Sequence, residues 1–498
     1  MKTYLRHIPL GTSLPYDNPH AVSVSFPTIA DVIGYEENDP LVRNALQSGY
    51  PRFFRNKLVD MLCQHVRQHF DLSDEVEIFP FPSSYSLSLL EKHFSTTFSV
   101  VELYGLFFLT LKADSSLIVD LRIFVRRIGI FLSSRKAEEV LFQQGLIPKL
   151  YNEERVEAAN AGLLLIDSLQ KAYCISSPES VFLSNCGMNA FYAVFRALQM
   201  REQAPERTTI LQLGNVYLDS YDILRNYSRR MVLWHVQDFA TIERLIEDKK
   251  LEISAICTEV PTNPLLECVD LPRLYALCRK YDIVLVVDTS MASAYTLNVL
   301  EHCDVVTESL SKFANGQGDL LMGAVIVNPQ SAVGYSMLLS IQQHLIVPYI
   351  ADIQRIAISI ADYEERMFHL SVKTKKVIDY LQQSPAVKEV YSVLHPSSKA
   401  NFEKMCAYPQ ALPGVVSVVF NKPLAYYYDK LPLPKGPSFG TVFTLAMPYV
   451  YLAHFDLIQT EEGRQQLTEM GLHPDMLRIS VGLEPVEDII ASFKLAGI

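Results

Sequence analysis

From Thr208 to Asn328 short apolar runs alternate with amphipathic ones, and this alternation limits the fold more than any other feature of the chain. The runs read "TTILQLG", "YDILRNYS", "MVLWHV", "TIERLIEDKK", "ISAICTEV", "LPRLYALCRKY", "IVLVVDTS", "DVVTES" and "LMGAVIVN". The strand-like members are rich in β-branched residues and apolar on both faces, which suits strands covered on both sides by helices. They predict a mostly parallel sheet in an α/β fold. In such sheets ligands collect beyond the carboxyl ends of the strands, so strand-end residues are where chemistry is to be sought.

The rest of the chain is arranged around that core. "RVEAANAGLLLIDSLQKAY" and "MNAFYAVFRALQM" have helical periodicity, with "VFLSNCG" between them. Beyond about residue 335 a long helical stretch leads into a smaller α+β region containing "GVVSVVF" and "MLRISVGLE". The first 150 residues mix turn-rich pieces with apolar runs and predict a small α/β unit. A chain of 498 residues exceeds what one core organises, and three units are expected: 1–150, 151–375 and 376–498.

Charge and composition remove several classes of function. Lys and Arg total 44 against 55 Asp and Glu, a net charge of -11 with no long like-charged run, which argues against a nucleic-acid partner. The N-terminus lacks the apolar stretch of a secretory signal. The most apolar candidate for a membrane span, "FSVVELYGLFFLTLKAD", is short and contains Glu102, so a soluble cytoplasmic protein without a membrane partner is expected. The 8 cysteines form neither CxxC pairs nor Cys/His clusters at zinc spacing; they are expected as small buried hydrophobes, with no metal.

Several strand ends carry polar residues. Asp288 closes "IVLVVDTS", where a carboxylate among apolar neighbours needs a cationic partner or a helix to cap. Asn263 stands between Pro261 and Pro264 in a rigid turn, and Tyr217 follows another strand at the same edge. "TESLSK" ends in Ser309, Ser311 and Lys312, and in "SNCGMNAFYAVF" Gly187 opens a helix whose free N–H groups suit an anion. Each residue alone has an ordinary structural role. Pyridoxal phosphate needs them jointly: a lysine for a Schiff base, a carboxylate for the pyridine nitrogen, a phosphate cradle and an aromatic face. A dinucleotide site fits less well, because "NGQGDLLMG" has Leu321 where a third glycine belongs and runs into a strand rather than a helix.

In order and spacing these motifs resemble the Cys/Met-metabolism group of pyridoxal-phosphate enzymes of fold type I, from about residue 150 to the C-terminus. The matching segments are "CGMNA", Tyr217, "EVPTNP", "VVDTS", "SLSKFANGQGD" with "MGAVIVN", and "LRISVGLE". The resemblance implies a seven-stranded, mostly parallel sheet, a smaller C-terminal domain and an N-terminal α/β extension. It implies that Lys312 binds the cofactor covalently and moves protons, while Asp288 pairs with the pyridinium. Gly187 and Met188 would offer N–H groups to the phosphate, and Ser309 and Ser311 hydroxyls. Tyr217 would stack on the ring and could assist proton transfer, Asn263 would bond the phenolic oxygen, and Arg478 would clamp the substrate carboxylate with Ser438 nearby.

Members of the group also use a Tyr-x-Arg segment to reach the neighbouring subunit's phosphate; the nearest match, "LYNEERVEAAN", makes Tyr151 and Arg155 the candidates. "PHAVSVSFPTIADVIGYEENDPLVRNALQSGYPRFF" and "SSRKAEE" resemble the extension of fungal-type cystathionine γ-synthases. The activity so implied is γ-replacement on an O-acylhomoserine by cysteine, in a homodimer or homotetramer. γ-Lyase, O-acylhomoserine sulfhydrylase and a catalytically silent binding homologue are the alternatives. Asn189, Ser290 and Met291 depart from the group's usual residues.

Overall fold

The computed structural model describes residues 4–201, 209–248 and 251–498. Two short strands, β1 (Ser13–Leu14) and β2 (Ser23–Val24), pair antiparallel at the start of the chain. A three-stranded antiparallel sheet follows in the order β3-β5-β4, made of β3 (Val76–Phe81), β4 (Ser99–Leu103) and β5 (Leu106–Lys112). The apolar segment weighed as a membrane span is the β4–β5 hairpin, turning at Tyr104 and Gly105, which both have positive φ. No helix among the described residues is long and apolar enough to cross a membrane.

The helices around this sheet follow local rules. Asn56 caps Lys57–His69 by accepting the Leu58 N–H at 2.9 Å, and the buried face Val59, Leu62, Cys63 and Val66 has the spacing of one helical stripe. Leu117–Ile128 buries Ile118, Leu121, Phe124 and Ile128 in the same core as Phe191 and Phe195 of the helix Gly187–Arg201.

The central sheet contains β6 (Val181–Ser184), β7 (Thr209–Leu213), β8 (Arg229–Leu233), β9 (Ile253–Glu259), β10 (Val284–Asp288), β11 (Val305–Glu308) and β12 (Gly323–Val327). Its order is β6-β12-β11-β10-β9-β7-β8, and only the pairs made by β12 are antiparallel. The expected seven-stranded, mostly parallel sheet is therefore present, with apolar cores on both faces. A smaller antiparallel sheet, β13 (Val387–Tyr391), β14 (Val415–Phe420), β15 (Leu445–Pro448) and β16 (Leu477–Ser480), runs in the order β13-β14-β16-β15.

The units meet differently from the three-way division expected along the chain. The first 55 residues or so form a strap over the other two units. The Val22 N–H bonds Gly318 O at 2.9 Å, the Phe26 N–H bonds Lys435 O at 2.8 Å, and the Tyr428 hydroxyl bonds Phe26 O at 2.8 Å. Residue 375 falls inside the helix Tyr363–Gln383, which places Tyr363, Met367 and Leu370 in the central core and Val377, Ile378 and Leu381 in the C-terminal one.

Candidate functional site

The carboxyl ends of β9, β10 and β11, the start of the helix Gly187–Arg201, the strap and the small domain enclose a cavity of about 1440 Å³. Lys312, Asp288, Tyr217, Gly187, Met188, Asn263, Ser309, Ser438 and Arg478 all line it, as do Ser290 and Met291. Positions as far apart in sequence as 187 and 478 thus meet in one space.

Lys312 follows β11 in a tight turn and is 8% exposed. Its Nζ donates to the Ser438 hydroxyl at 2.8 Å and to the Tyr50 hydroxyl at 3.4 Å. It also lies 4.5 Å from the centre of the Tyr50 ring and 4.9 Å from that of Phe439. Burial first, then the charges of Arg478 and Arg52, hold this amine well below its usual range. An uncharged amine has a lone pair to give. Gly440, at φ +76, lets the chain come this close: an added Cβ there would lie 2.7 Å from Phe313 N. Ser438 itself stands at φ 85, held by its carbonyl on Arg478 and its hydroxyl on Lys312.

Asp288 ends β10 and accepts the Ser290 N–H at 2.8 Å and the Thr307 hydroxyl at 3.0 Å. Among the described residues no cation forms an ion pair with it, and burial raises its carboxyl against the pull of those donors. At the far end Arg478, 4% exposed, bonds Asn263 Oδ1 and Ser438 O at 2.9 Å each, and burial brings it down to about 10. Asn263 accepts with its amide oxygen, which leaves the NH₂ group to donate.

At the helix start the Asn189 and Ala190 N–H groups return to Cys186, which the Met188 N–H also faces, leaving that of Gly187 at the mouth of the turn. An added Cβ at Gly187 would lie 2.9 Å from Ser309 Cβ, so glycine alone leaves the space between turn and hydroxyl.

Ser311, expected here, lies elsewhere, and Tyr151 and Arg155, expected at the neighbouring subunit's phosphate, do not line this cavity. Ser311 donates to Met322 O at 3.2 Å and accepts the Met322 N–H at 3.0 Å, which ties its hydroxyl to the backbone outside the cavity. Arg155 puts Nε and Nη2 on Glu153 Oε1 at 2.8 and 2.6 Å, and the neighbouring Tyr151 packs edge-on against His20. Neither lines the cavity. Glu153 belongs to a buried ion network and captures the nearby guanidinium.

A different tyrosine-x-arginine reaches the site in this chain, Tyr50-Pro51-Arg52 of the strap. Arg52 donates to the Tyr217 hydroxyl and to Asp219, which is fully buried, and Arg126 bonds the other Asp219 oxygen at 3.1 Å. The signal lies in "SGYPRFF", but nothing in the spacing of an N-terminal segment tells that it folds back by 262 residues onto Lys312.

Known proteins share sequence and fold with this chain. Residues 165–496 match the Cys/Met metabolism PLP-dependent enzyme family. The chain is 34% identical to an L-2-amino-4-chloropent-4-enoate dechlorinase/desaturase of Streptantibioticus cattleyicolor, over 95% of both chains. It is 26% identical to a cystathionine gamma-synthase of Neurospora crassa, over 98% of this chain and 97% of that one. The fold is shared with a cystathionine gamma synthase structure from Xanthomonas oryzae pv. oryzae, at TM-score 0.58 and 19% identity, covering 70% of this chain and 89% of the other.

The residues present fit pyridoxal 5′-phosphate. Asp288 is a carboxylate in the cavity wall without a cation, where a protonated pyridine nitrogen belongs. The Gly187 turn is an anion cradle that a Cβ would fill, and Lys312 is an amine poised to condense with an aldehyde. The chain belongs to the Cys/Met-metabolism family of pyridoxal-phosphate-dependent enzymes, with pyridoxal 5′-phosphate as its cofactor.

Proposed function

We propose that the protein removes a substituent from the γ-carbon of an L-α-amino acid. The observation that carries this reading is the buried Lys312 amine, bonded to Ser438 and Tyr50 in a cavity that Asp288 and Arg478 also line. The bound cofactor supplies an electron sink for the charge left when a proton leaves the carbon next to the amino group. Arg478 would hold the substrate carboxylate as a two-pronged donor, Tyr217 would cover one face of the ring, and Asp288 would keep the ring nitrogen protonated. Lys312 would take the α-proton, release it and, neutral again, take a proton from the β-carbon, steered by the hydroxyls of Ser438 and Tyr50. The γ-substituent would then depart with its bonding pair into the cavity.

Elimination is the outcome we favour. Arg52 and Arg126 are committed to Asp219, so neither is a free cation for the carboxylate of a second amino acid. The 34% identity to a dechlorinase/desaturase supports the same outcome. The second reading is γ-replacement, cystathionine formation from an O-acylhomoserine and cysteine. It is supported by the Neurospora crassa relative, which aligns with the extension as well as the core.

The test is to give the holoprotein O-acetyl-, O-succinyl- and O-phosphohomoserine and L-2-amino-4-chloropent-4-enoate, each with and without cysteine, and to follow leaving-group release and product mass. Release without cysteine, with an unsaturated or deaminated product, is expected. Cystathionine formed only when cysteine is present supports the second reading, and no release from any substrate overturns both.

The strap has its own expected effect. Arg52→Ala leaves the buried Asp219 with Arg126 alone and frees Tyr217, so the variant should lose cofactor on dialysis at least about tenfold faster than the parent, read from visible absorption. Equal retention would reduce the strap to a passive cover.

A further inference from the structure

A carboxyl that the proposed chemistry leaves idle stands between Asp288 and Arg478. Glu259 ends β9 and is the in-register partner of Asp288 on β10, so both side chains leave the sheet on the same face, on strands about 4.8 Å apart. Glu259 is 5% exposed and lines the cavity. Its Oε1 accepts the Tyr217 N–H, whereas Oε2, also buried, has no hydrogen-bond partner among the described residues.

Two adjacent carboxyls shielded from water do not both ionise. Asp288 has donors on both oxygens and faces the place of a cationic ring nitrogen. Among the described residues Glu259 Oε2 has no hydrogen-bond partner. Burial and the charge of Asp288 raise its carboxyl well above the usual range, against the pull of the Tyr217 and Asn263 N–H groups and of Arg478. The proton of the pair therefore belongs to Glu259, and Oε2 is the oxygen free to carry it.

We infer that Glu259 is a further substrate-binding residue: its Oε2–H donates a hydrogen bond to the α-carboxylate of the amino acid held by Arg478. This rests on the reading of Arg478 as the carboxylate clamp. A neutral donor strengthens the hold on a carboxylate without cancelling the guanidinium charge, whereas an ionised Glu259 would repel it. Affinity for the amino acid consequently falls as rising pH removes the proton. The titratable groups facing Glu259 are Asp288 on β10, Arg478 on β16, Tyr449 on the helix Tyr449–Ala453 and Tyr217, with Lys312 lining the same cavity. Burial raises both phenols and brings Arg478 to about 10, so a comparison with a variant whose residue 259 cannot ionise isolates the contribution of Glu259.

The test uses holoprotein titrated with L-norvaline, which has no leaving group, and with norvaline methyl ester; dissociation constants are read from the visible absorption of the cofactor at a series of pH values from about 7 upward. Glu259→Leu should raise the constant for norvaline by about tenfold or more and leave that for the ester within about twofold. Glu259→Gln, which keeps a donor and cannot ionise, should bind norvaline within about threefold of the parent and lose the weakening at the higher pH. Equal shifts for acid and ester in Glu259→Leu, or an unchanged alkaline weakening in Glu259→Gln, overturn the inference. If Glu259→Leu fails to hold cofactor, the pH dependence of Glu259→Gln decides. Parent protein that binds acid and ester equally well shows instead that the reading of Arg478 is at fault.

Discussion

Lys312→Ala should lower turnover by at least about a thousand-fold and abolish the visible absorption that marks the cofactor as covalently held. No described residue stands ready to replace it. Nζ is the amine placed against both Ser438 and Tyr50, and burial keeps it uncharged enough to accept a proton. The other cations near it are guanidiniums, Arg52 and Arg478, which do not act as bases at ordinary pH. Steady-state rates and an absorption spectrum of the reconstituted variant check the claim. Retained turnover within about tenfold would remove Lys312 from the proposed chemistry.

Arg135→Ala should cost about 3–5 kcal/mol of stability. Arg135 is 2% exposed; it bonds both oxygens of Glu153 at 2.7 Å, Asp352 Oδ1 at 3.0 Å and Asp319 O at 2.9 Å. Alanine would strand Glu153 and Asp352 in a buried setting, with Arg355 and Arg155 as the remaining cations for Glu153. This arginine also joins "SSRKAEE" of the extension to the core, so its loss loosens one unit from another. Thermal and denaturant unfolding measure the change, and a cost below about 1 kcal/mol would show that the network is solvated rather than buried.

Much of the site is legible in the sequence. Asp288, Asn263 and Lys312 each sit at or beyond the carboxyl end of a strand whose apolar pattern is local, and a parallel sheet delivers such ends to one edge; Arg478 comes instead from β16 of the antiparallel sheet. Strand-end position alone also points to Ser311, two residues beyond Ser309. In the turn that follows β11 the intervening backbone rotates Ser311 onto Met322, which no strand periodicity records. Arg155 has the right residue type and a plausible neighbour in Tyr151. Glu153, two positions away, offers it a partner that a motif comparison does not weigh.

By itself the sequence determined the sheet, its helical covers, the lysine and its carboxylate, because these depend on periodicities of a few residues and on strand ends. Only the tertiary structure decided that Tyr50 and Arg52 reach the cavity, that Arg155 binds Glu153, and that Glu259 Oε2 has no hydrogen-bond partner among the described residues. Those outcomes depend on which groups compete for the same charge or donor across hundreds of residues. Local sequence carries no record of that competition.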